Sequence, residues 1–321
     1  MEKYSLWLRP EGETANKLRA LIAKLATQYG TSVFEPHITY LGDLNLSKEE
    51  ALLKTFQISS QLRPFIAELN ELDYTENYFR CVFIKAKKTK FLKEIAMPHL
   101  SLIYGNLSIE VKKKIIAELG SLSFKLKINS IYLTNSSRFT KIKDWKVLAE
   151  FPFEVVDALK KGKIGVIPTD TIYGIVGSAF NKKTVEKIYF LRKRSKNKPF
   201  ITLISSLKDL DKFSIKLTKK QEDFLKKIWP NPVSVVLGNL AFRMPKDMWL
   251  LSLLEEVGPL VAPSANFEGE KPSQTITEAK KYFGSKVSFY IDKGKIKSQA
   301  STLLELNGDS IKILRQGSFL V

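Results

Sequence analysis

The sequence predicts two consecutive domains of mixed helix and strand, one over residues 1–150 and an α/β domain over 153–321. Three observations predict this. The length, 321 residues, is about twice that of a common single domain. Strand-like and helix-like patterns alternate along both halves, and in the second half the alternation is that of an α/β sheet. Between them, Glu150–Phe153 (EFPF) reads as a boundary without a long Gly/Ser linker.

In the first half, Tyr4–Leu8 reads as a strand. Leu18, Leu21, Ile22 and Leu25 fall at helical spacing in Ala15–Tyr29, and Gly30 can close that helix. A strand follows near His37–Tyr40, then a helix from about Ser47. Strands are expected at Arg63–Leu69, Tyr78–Ala86 and His99–Tyr104. Ser108 caps a helix carrying Val111, Ile115 and Leu119 on one face and ended by Gly120. Strands at Phe124–Leu133 and Trp145–Phe151 complete the unit. The second half opens with a helix at Glu154–Lys161 and a strand at Ile164–Pro168 running into a Thr/Gly-rich turn. A helix at Lys182–Leu191, the basic segment Arg192–Lys198 and a strand at Phe200–Ile204 follow. Ser301–Leu306 and Ile313–Gly317 read as paired terminal strands.

Composition bounds the function. With 44% hydrophobic and 26% charged residues, the chain has the balance of a globular protein. Its one cysteine, Cys81, excludes a disulfide framework, a zinc–thiolate cluster and an iron–sulfur site, and suits a reducing compartment. The start lacks an apolar signal region, and the longest apolar stretch, Ile164–Phe180, is broken by Pro168 and Asp170. A cytoplasmic protein with no membrane partner is expected. The formal charge is +19, which attracts phosphate-bearing partners. The cations are 43 Lys against 9 Arg, however, and a lysine excess also arises from general composition rather than specific phosphate contact.

The chain's two histidines share one context: Pro36-His37-Ile38-Thr39 and Pro98-His99-Leu100-Ser101. In a strand, residues i and i+2 face the same side. Two such strands side by side gather two imidazoles and two hydroxyls around a cleft. That set suits phosphodiester cleavage: one imidazole takes a proton, the other delivers one, and Thr39 and Ser101 donate hydrogen bonds to phosphate oxygens. No metal is needed. EPHITYLG and MPHLSLIYG, with the opening YSLWLRPEG, resemble the two-histidine phosphoesterases, in particular their cyclic phosphodiesterase branch. The resemblance covers most of residues 1–150. It implies a two-lobed α+β fold, opening of a cyclic phosphate on a nucleotide, an RNA end or an ADP-ribose derivative, and a substrate contact by Tyr104.

The second half has no histidine and no P-loop signature. It carries PTDTIYG after a strand, where ligands meet α/β sheets, and five cations within Arg192–Lys198. An apolar strand ends in Ser264-Ala265-Asn266, placing a hydroxyl and an amide together. IPTDTIYGIVG, LRKRSKNKPF, WPNPVSVVL, FRMP, APSANFEGEKPSQT, STLLEL and ILRQG occur in the order of the YrdC-like threonylcarbamoyl-AMP synthases, which this half resembles over roughly 153–321. The resemblance implies a twisted α/β sheet with a concave positive pocket. It implies joining of L-threonine, bicarbonate and ATP, with Mg2+ on the ATP phosphates, to make threonylcarbamoyl-AMP for modification of a tRNA adenosine. By motif, Thr171, Ala262 and Ser301 line the threonine site. Arg192, Arg194, Lys198, Ser234, Ser264, Asn266, Ser273 and Arg315 contact ATP. The sequence departs from the family at Arg192 (commonly Lys), Asn231 (Gly), Ser234 (Thr) and Glu268 (a small residue), with one residue inserted before Ser273.

The expected function is therefore a bifunctional enzyme whose halves both serve RNA metabolism, with tRNA and the threonylcarbamoyl-transfer machinery as partners. The rival is an RNA-binding protein with one active half or two degenerate sites.

Overall fold

The computed structural model describes residues 3–320. The chain divides into two compact units with the boundary between Phe153 and Glu154. Among the described residues no helix is long and apolar enough to cross a membrane.

The first unit runs β1 (Tyr4–Leu8), α1 (Gly12–Tyr29), β2 (Ile38–Leu44), α2 (Lys48–Gln61), β3 (Phe65–Tyr74), β4 (Val82–Ala86), β5 (His99–Ile103), α3 (Ile109–Leu119), β6 (Phe124–Ile128), β7 (Ser130–Thr134) and β8 (Val147–Pro152). The helices form where the sequence provides both face and ends. Helix α1 buries Leu18, Ile22 and Leu25 and ends on Gly30 at φ 64°, a left-handed geometry that glycine adopts without cost. Helix α2 starts with a capping box between Ser47 and Glu50. The eight strands form one sheet in the order β6-β3-β4-β5-β2-β1-β7-β8. Every pairing in it is antiparallel. Helix α2 packs on β7 and β8, whereas α1 and α3 pack on strands of the other half. The sheet is thus two four-stranded halves meeting at β2 and β5, where the one registered pair is Ile38 opposite Leu100.

Two expectations change here. The run Phe124–Leu133 is not one strand but two, β6 and β7. They lie in opposite halves: β6 pairs with β3, while β7 pairs with β1 and β8. The alternation of Phe124, Leu126 and Ile128 stops at Asn129-Ser130, and the consecutive Ile131-Tyr132-Leu133 belong to the next strand. The strand expected from Tyr78 begins only at Val82, because Tyr78–Arg80 is a 3-10 turn capped by the Asn77 side chain.

The second unit runs α4 (Val155–Lys160), β9 (Gly165–Pro168), β10 (Tyr173–Ser178), α5 (Lys182–Leu191), β11 (Ile201–Leu203), α6 (Lys219–Ile228), β12 (Val233–Leu237), β13 (Leu240–Arg243), α7 (Met248–Val257), β14 (Leu260–Val261), α8 (Ile276–Phe283), β15 (Phe289–Tyr290), β16 (Thr302–Asn307) and β17 (Ser310–Arg315). The sheet order is β15-β9-β10-β14-β11-β13-β12-β16-β17. It is mixed: β15–β9, β11–β13 and β12–β16 are parallel and the remaining pairs antiparallel. One core cluster gathers Ile164, Tyr173, Ile188 and Phe283, and another gathers Leu225, Trp229, Phe242 and Leu304. The terminal strands pair as expected, with β17 exposed throughout.

Candidate active sites

In the first unit the register of a single pair builds the site. With Ile38 opposite Leu100 in an antiparallel pair, His37 falls opposite Ser101 and Thr39 opposite His99. Ile38 and Leu100 are fully buried on one face, so the four polar side chains share the other. His37, Thr39, His99, Ser101 and Tyr104 all line one cavity of about 400 Å³.

The two imidazoles are held alike. His37 Nδ1 lies 2.7 Å from the Glu35 carbonyl, and His99 Nδ1 lies 2.9 Å from the Met97 carbonyl, each two residues upstream. A carbonyl only accepts, so both Nδ1 atoms carry the proton and both Nε2 atoms are bare. Trp7 stacks on His37 at 3.7 Å between ring centroids, and Phe83 meets His99 edge-on at 5.1 Å. Burial drives the His37 pKa from 6.5 down to about 3. The neighbouring His99 and Arg9 add to this, and the Glu35 carbonyl opposes it. Burial also lowers His99, opposed by the Met97 carbonyl and assisted by Arg80. The Tyr104 hydroxyl, whose pKa burial raises, is 3.4 Å from His37 Nε2 and can only donate to that bare nitrogen.

Ser101 differs from the expectation: its hydroxyl donates to the Phe79 carbonyl at 2.8 Å rather than pointing unpaired into the cavity. Two cations that the motifs did not name, Arg80 and Arg138, also line the cavity. Arg138 is steadied by Asp43 at 2.8 Å. Neither arginine belongs to a Pro-His motif. The local signal was an arginine in each of the segments that follow β3 and β7.

In the second unit the predicted residues form two clusters. In the first, Arg192 is only 2% exposed although charged. Its Nε donates to the Asn266 carbonyl at 3.1 Å and its Nη2 to Ser264 Oγ at 3.1 Å. Its Nη1 has no partner. Burial and the nearby Arg194 pull its pKa down to about 10. Ser264 is held there by a bridge to Gly174 on β10, and Ser273 donates its hydroxyl to the Ala265 carbonyl. Arg194 turns back on the Lys198 and Pro199 carbonyls and lies over the Phe200 ring. Lys198 pairs with Glu268 at 2.9 Å, and the Ser195 amide donates to the other Glu268 oxygen at 3.2 Å.

In the second cluster, the buried hydroxyls of Ser234 and Ser301 share a hydrogen bond of 2.8 Å. Arg315 Nη2 donates to the Ser301 carbonyl at 2.8 Å. Although the residue as a whole is exposed, partial desolvation of its guanidinium, and then Arg243, lower the Arg315 pKa. Thr171 is buried, with Oγ1 3.1 Å from Thr169 Oγ1, and the Ala262 amide donates to the Ile201 carbonyl.

Sequence reasoning passed over Arg243 and Asp170. They form a buried ion pair, Arg243 Nη2 to Asp170 Oδ1 at 3.1 Å, next to Thr171, and Arg243 Nε lacks a hydrogen-bond partner. Burial raises the Asp170 pKa despite that arginine. Buried polar atoms are nearly always satisfied, which sets apart Arg192 Nη1 in the first cluster and Arg243 Nε beside Thr171. The signal was present: Arg243 is one of nine arginines and lies in the FRMP segment.

Residues 157–317 match the Sua5–YciO–YrdC family, described as telomere recombination. Residues 1–97 match the cyclic phosphodiesterase-like proteins, a match that stops short of His99. A candidate threonylcarbamoyl-AMP synthase of Mycobacterium tuberculosis strain CDC 1551 is 30% identical over 177 residues, covering 50% of this chain and 82% of its own length. A counterpart from Methanocaldococcus jannaschii is 31% identical over 195 residues, covering 55% of this chain and 92% of its own. Among solved structures, P. abyssi Sua5 complexed with L-threonine is 25% identical with a TM-score of 0.46, covering 50% of this chain. The chain spans about half of that protein, 52% of its length.

Proposed function

Because the chain belongs to the Sua5–YciO–YrdC family through residues 157–317, we propose that its second unit makes L-threonylcarbamoyl-AMP from L-threonine, bicarbonate and ATP. The threonine amine and bicarbonate give a carbamate and water. A carbamate oxygen attacks the α-phosphorus of ATP, and the bond to pyrophosphate breaks. The nucleophile is already an anion, so the protein's task is to orient reactants and neutralise charge. The observation that carries this reading is the buried Arg192, wedged between Ser264 and Asn266 with one nitrogen unpartnered. Arg192, Arg194, Lys198, Ser264, Asn266 and Ser273 take the nucleotide, with Ser234 and Arg315. Thr171, Ala262 and Ser301 take threonine, joined by Arg243 for its carboxylate. Magnesium arrives on the ATP phosphates as part of the substrate; among the described residues no cluster of three metal-ligating side chains would hold it independently. The product supplies threonylcarbamoyl modification of a tRNA adenosine. Pyrophosphate release that requires all three substrates tests this reading, and release without threonine refutes it.

The first unit opens a cyclic phosphate. Burial keeps His37 neutral at pH 7, which fits its bare Nε2 to take the proton of the attacking water. His99, the more exposed imidazole, acts as the acid: it first takes a proton from solvent at Nε2, becoming the imidazolium, and delivers that proton to the leaving ribose oxygen as the phosphorus–oxygen bond breaks. Arg80 and Arg138 neutralise the phosphate. Hydrolysis of a 2′,3′-cyclic nucleotide, lost on replacing either histidine, tests this. A second reading, in which the second unit binds ligand without turnover, is favoured by one observation: Glu268 occupies Lys198 and the Ser195 amide. The pyrophosphate assay separates the two.

A further inference from the structure

The loop between β7 and β8 has properties that hydrolysis of a small cyclic nucleotide does not use. Arg138 and Trp145 of this loop line the two-histidine cavity. Beyond them the segment Arg138–Lys146 (RFTKIKDWK) holds four cations against one acid, Asp144. Arg138, Lys141, Lys143 and Lys146 are all exposed. Among the described residues, no ion pair engages the three lysines. Phe139 is 69% exposed, with Lys3 Nζ 4.3 Å and the Arg138 guanidinium 5.5 Å from its ring centroid.

The loop is preformed. The Asn135 side chain accepts from the Lys146 amide at 2.6 Å and donates to the Asp144 carbonyl at 3.3 Å. Trp145 Nε1 donates to the Thr140 carbonyl at 3.1 Å, and Ser137 bonds Thr140 at 3.0 Å. An aromatic ring held out to solvent among cations on a rigid loop is the combination that binds single-stranded nucleic acid: bases stack on rings and phosphates pair with cations. The cavity, about 400 Å³, lies at the small end of ligand pockets and takes one nucleotide. Arg138 and Trp145 place this loop at the cavity wall, within reach of whatever is attached to that nucleotide.

We propose that the β7–β8 loop is a platform for single-stranded RNA, and that the two-histidine site acts on a cyclic phosphate terminating such a strand. A 2′,3′-cyclic phosphate needs a 2′-oxygen, so the strand is RNA rather than DNA. The substrate half of the proposal and the choice of RNA over DNA rest on reading this unit as a cyclic phosphodiesterase; the loop by itself carries the binding of a single strand.

The test compares two substrates on the full chain: a 2′,3′-cyclic mononucleotide and a short single-stranded oligoribonucleotide ending in the same group. The expected result is a kcat/KM at least about tenfold higher for the oligonucleotide at low salt, with the advantage shrinking as salt rises. Replacing Lys141, Lys143 and Lys146 together by Gln, or Phe139→Ala, should remove that advantage and leave mononucleotide hydrolysis unchanged. Equal rates for both substrates in the unaltered protein, or equal losses on both in the variants, overturn the proposal. Fluorescence anisotropy of a labelled oligoribonucleotide bearing a 3′-phosphate reads the platform without catalysis. Binding that the triple variant loses supports the platform even if no cyclic phosphate is opened, an outcome that fails the hydrolase reading alone. Absence of binding at low salt overturns the platform.

Discussion

At the scale of single residues, both sites depend on side chains fixed by backbone carbonyls. The Glu35 and Met97 carbonyls hold the imidazoles in one tautomer, so His37→Ala and His99→Ala should each lower cyclic-phosphate opening by about 10²–10⁴-fold. Pyrophosphate release should be unchanged in both variants, as measured on the same preparations. In the second unit, Arg192 donates through two nitrogens to two partners. Glutamine keeps a donor but neither the charge nor the fork, so Arg192→Gln should reduce kcat/KM for ATP by about tenfold or more. Glu268 holds Lys198 and the Ser195 amide as a phosphate would. Glu268→Gln should therefore lower the KM for ATP a few-fold at constant kcat; a raised KM would mean that the carboxylate holds the basic segment in its binding shape. The sequence named Arg192, Lys198 and Glu268 but could not show that the last two pair, since 70 positions separate them. It named Ser101 as a phosphate donor, and only the fold shows the hydroxyl committed to Phe79.

At the scale of elements, the ends of strands decide what the sites contain. Gly317 follows β17 and passes close to the segment before β16. A Cβ there would lie 2.2 Å from the Ala300 carbonyl oxygen and 2.4 Å from the Ser301 carbonyl carbon. These are backbone atoms and cannot rotate away. Gly317→Ala should push the strand end from Ser301, displace Arg315 and impair pyrophosphate release, with cyclic-phosphate opening intact; the paired assays check this. The glycine in ILRQG was legible as a motif, whereas its reason lies in a contact with a distant segment. The same limit explains the split of Phe124–Leu133. Its two-residue period breaks at Asn129-Ser130, a short polar step that names no new partner, and there the chain leaves one half of the sheet for the other.

At the scale of the whole molecule, charge and burial set the response to solution conditions. His37 has a pKa of about 3 when folded and 6.5 when exposed. Between these values the unfolded chain binds the proton and the folded chain does not. Stability is thus retained above pH 6.5 and lost as pH falls toward 3, with a slope approaching about 1.4 kcal/mol per pH unit. Lowered in the same direction, His99 adds to it. Urea midpoints of the first unit's transition between pH 7 and pH 4.5 should show this slope, and His37→Asn should flatten it. A slope unchanged by that replacement would place the titrating group elsewhere.

The sequence by itself determined the local structure and the chemical inventory. Hydrophobic period, caps and glycines drew the helices and most strands, and two Pro-His-x-Thr/Ser motifs named the imidazoles. These are properties of neighbours along the chain. The tertiary structure decided that Ile38 faces Leu100, that Arg80 and Arg138 line the cavity of the two histidines, and that Arg243 meets Asp170 beside Thr171. Such pairings depend on contacts between distant segments. A slip of one residue between β2 and β5 would have turned the same histidines into the core.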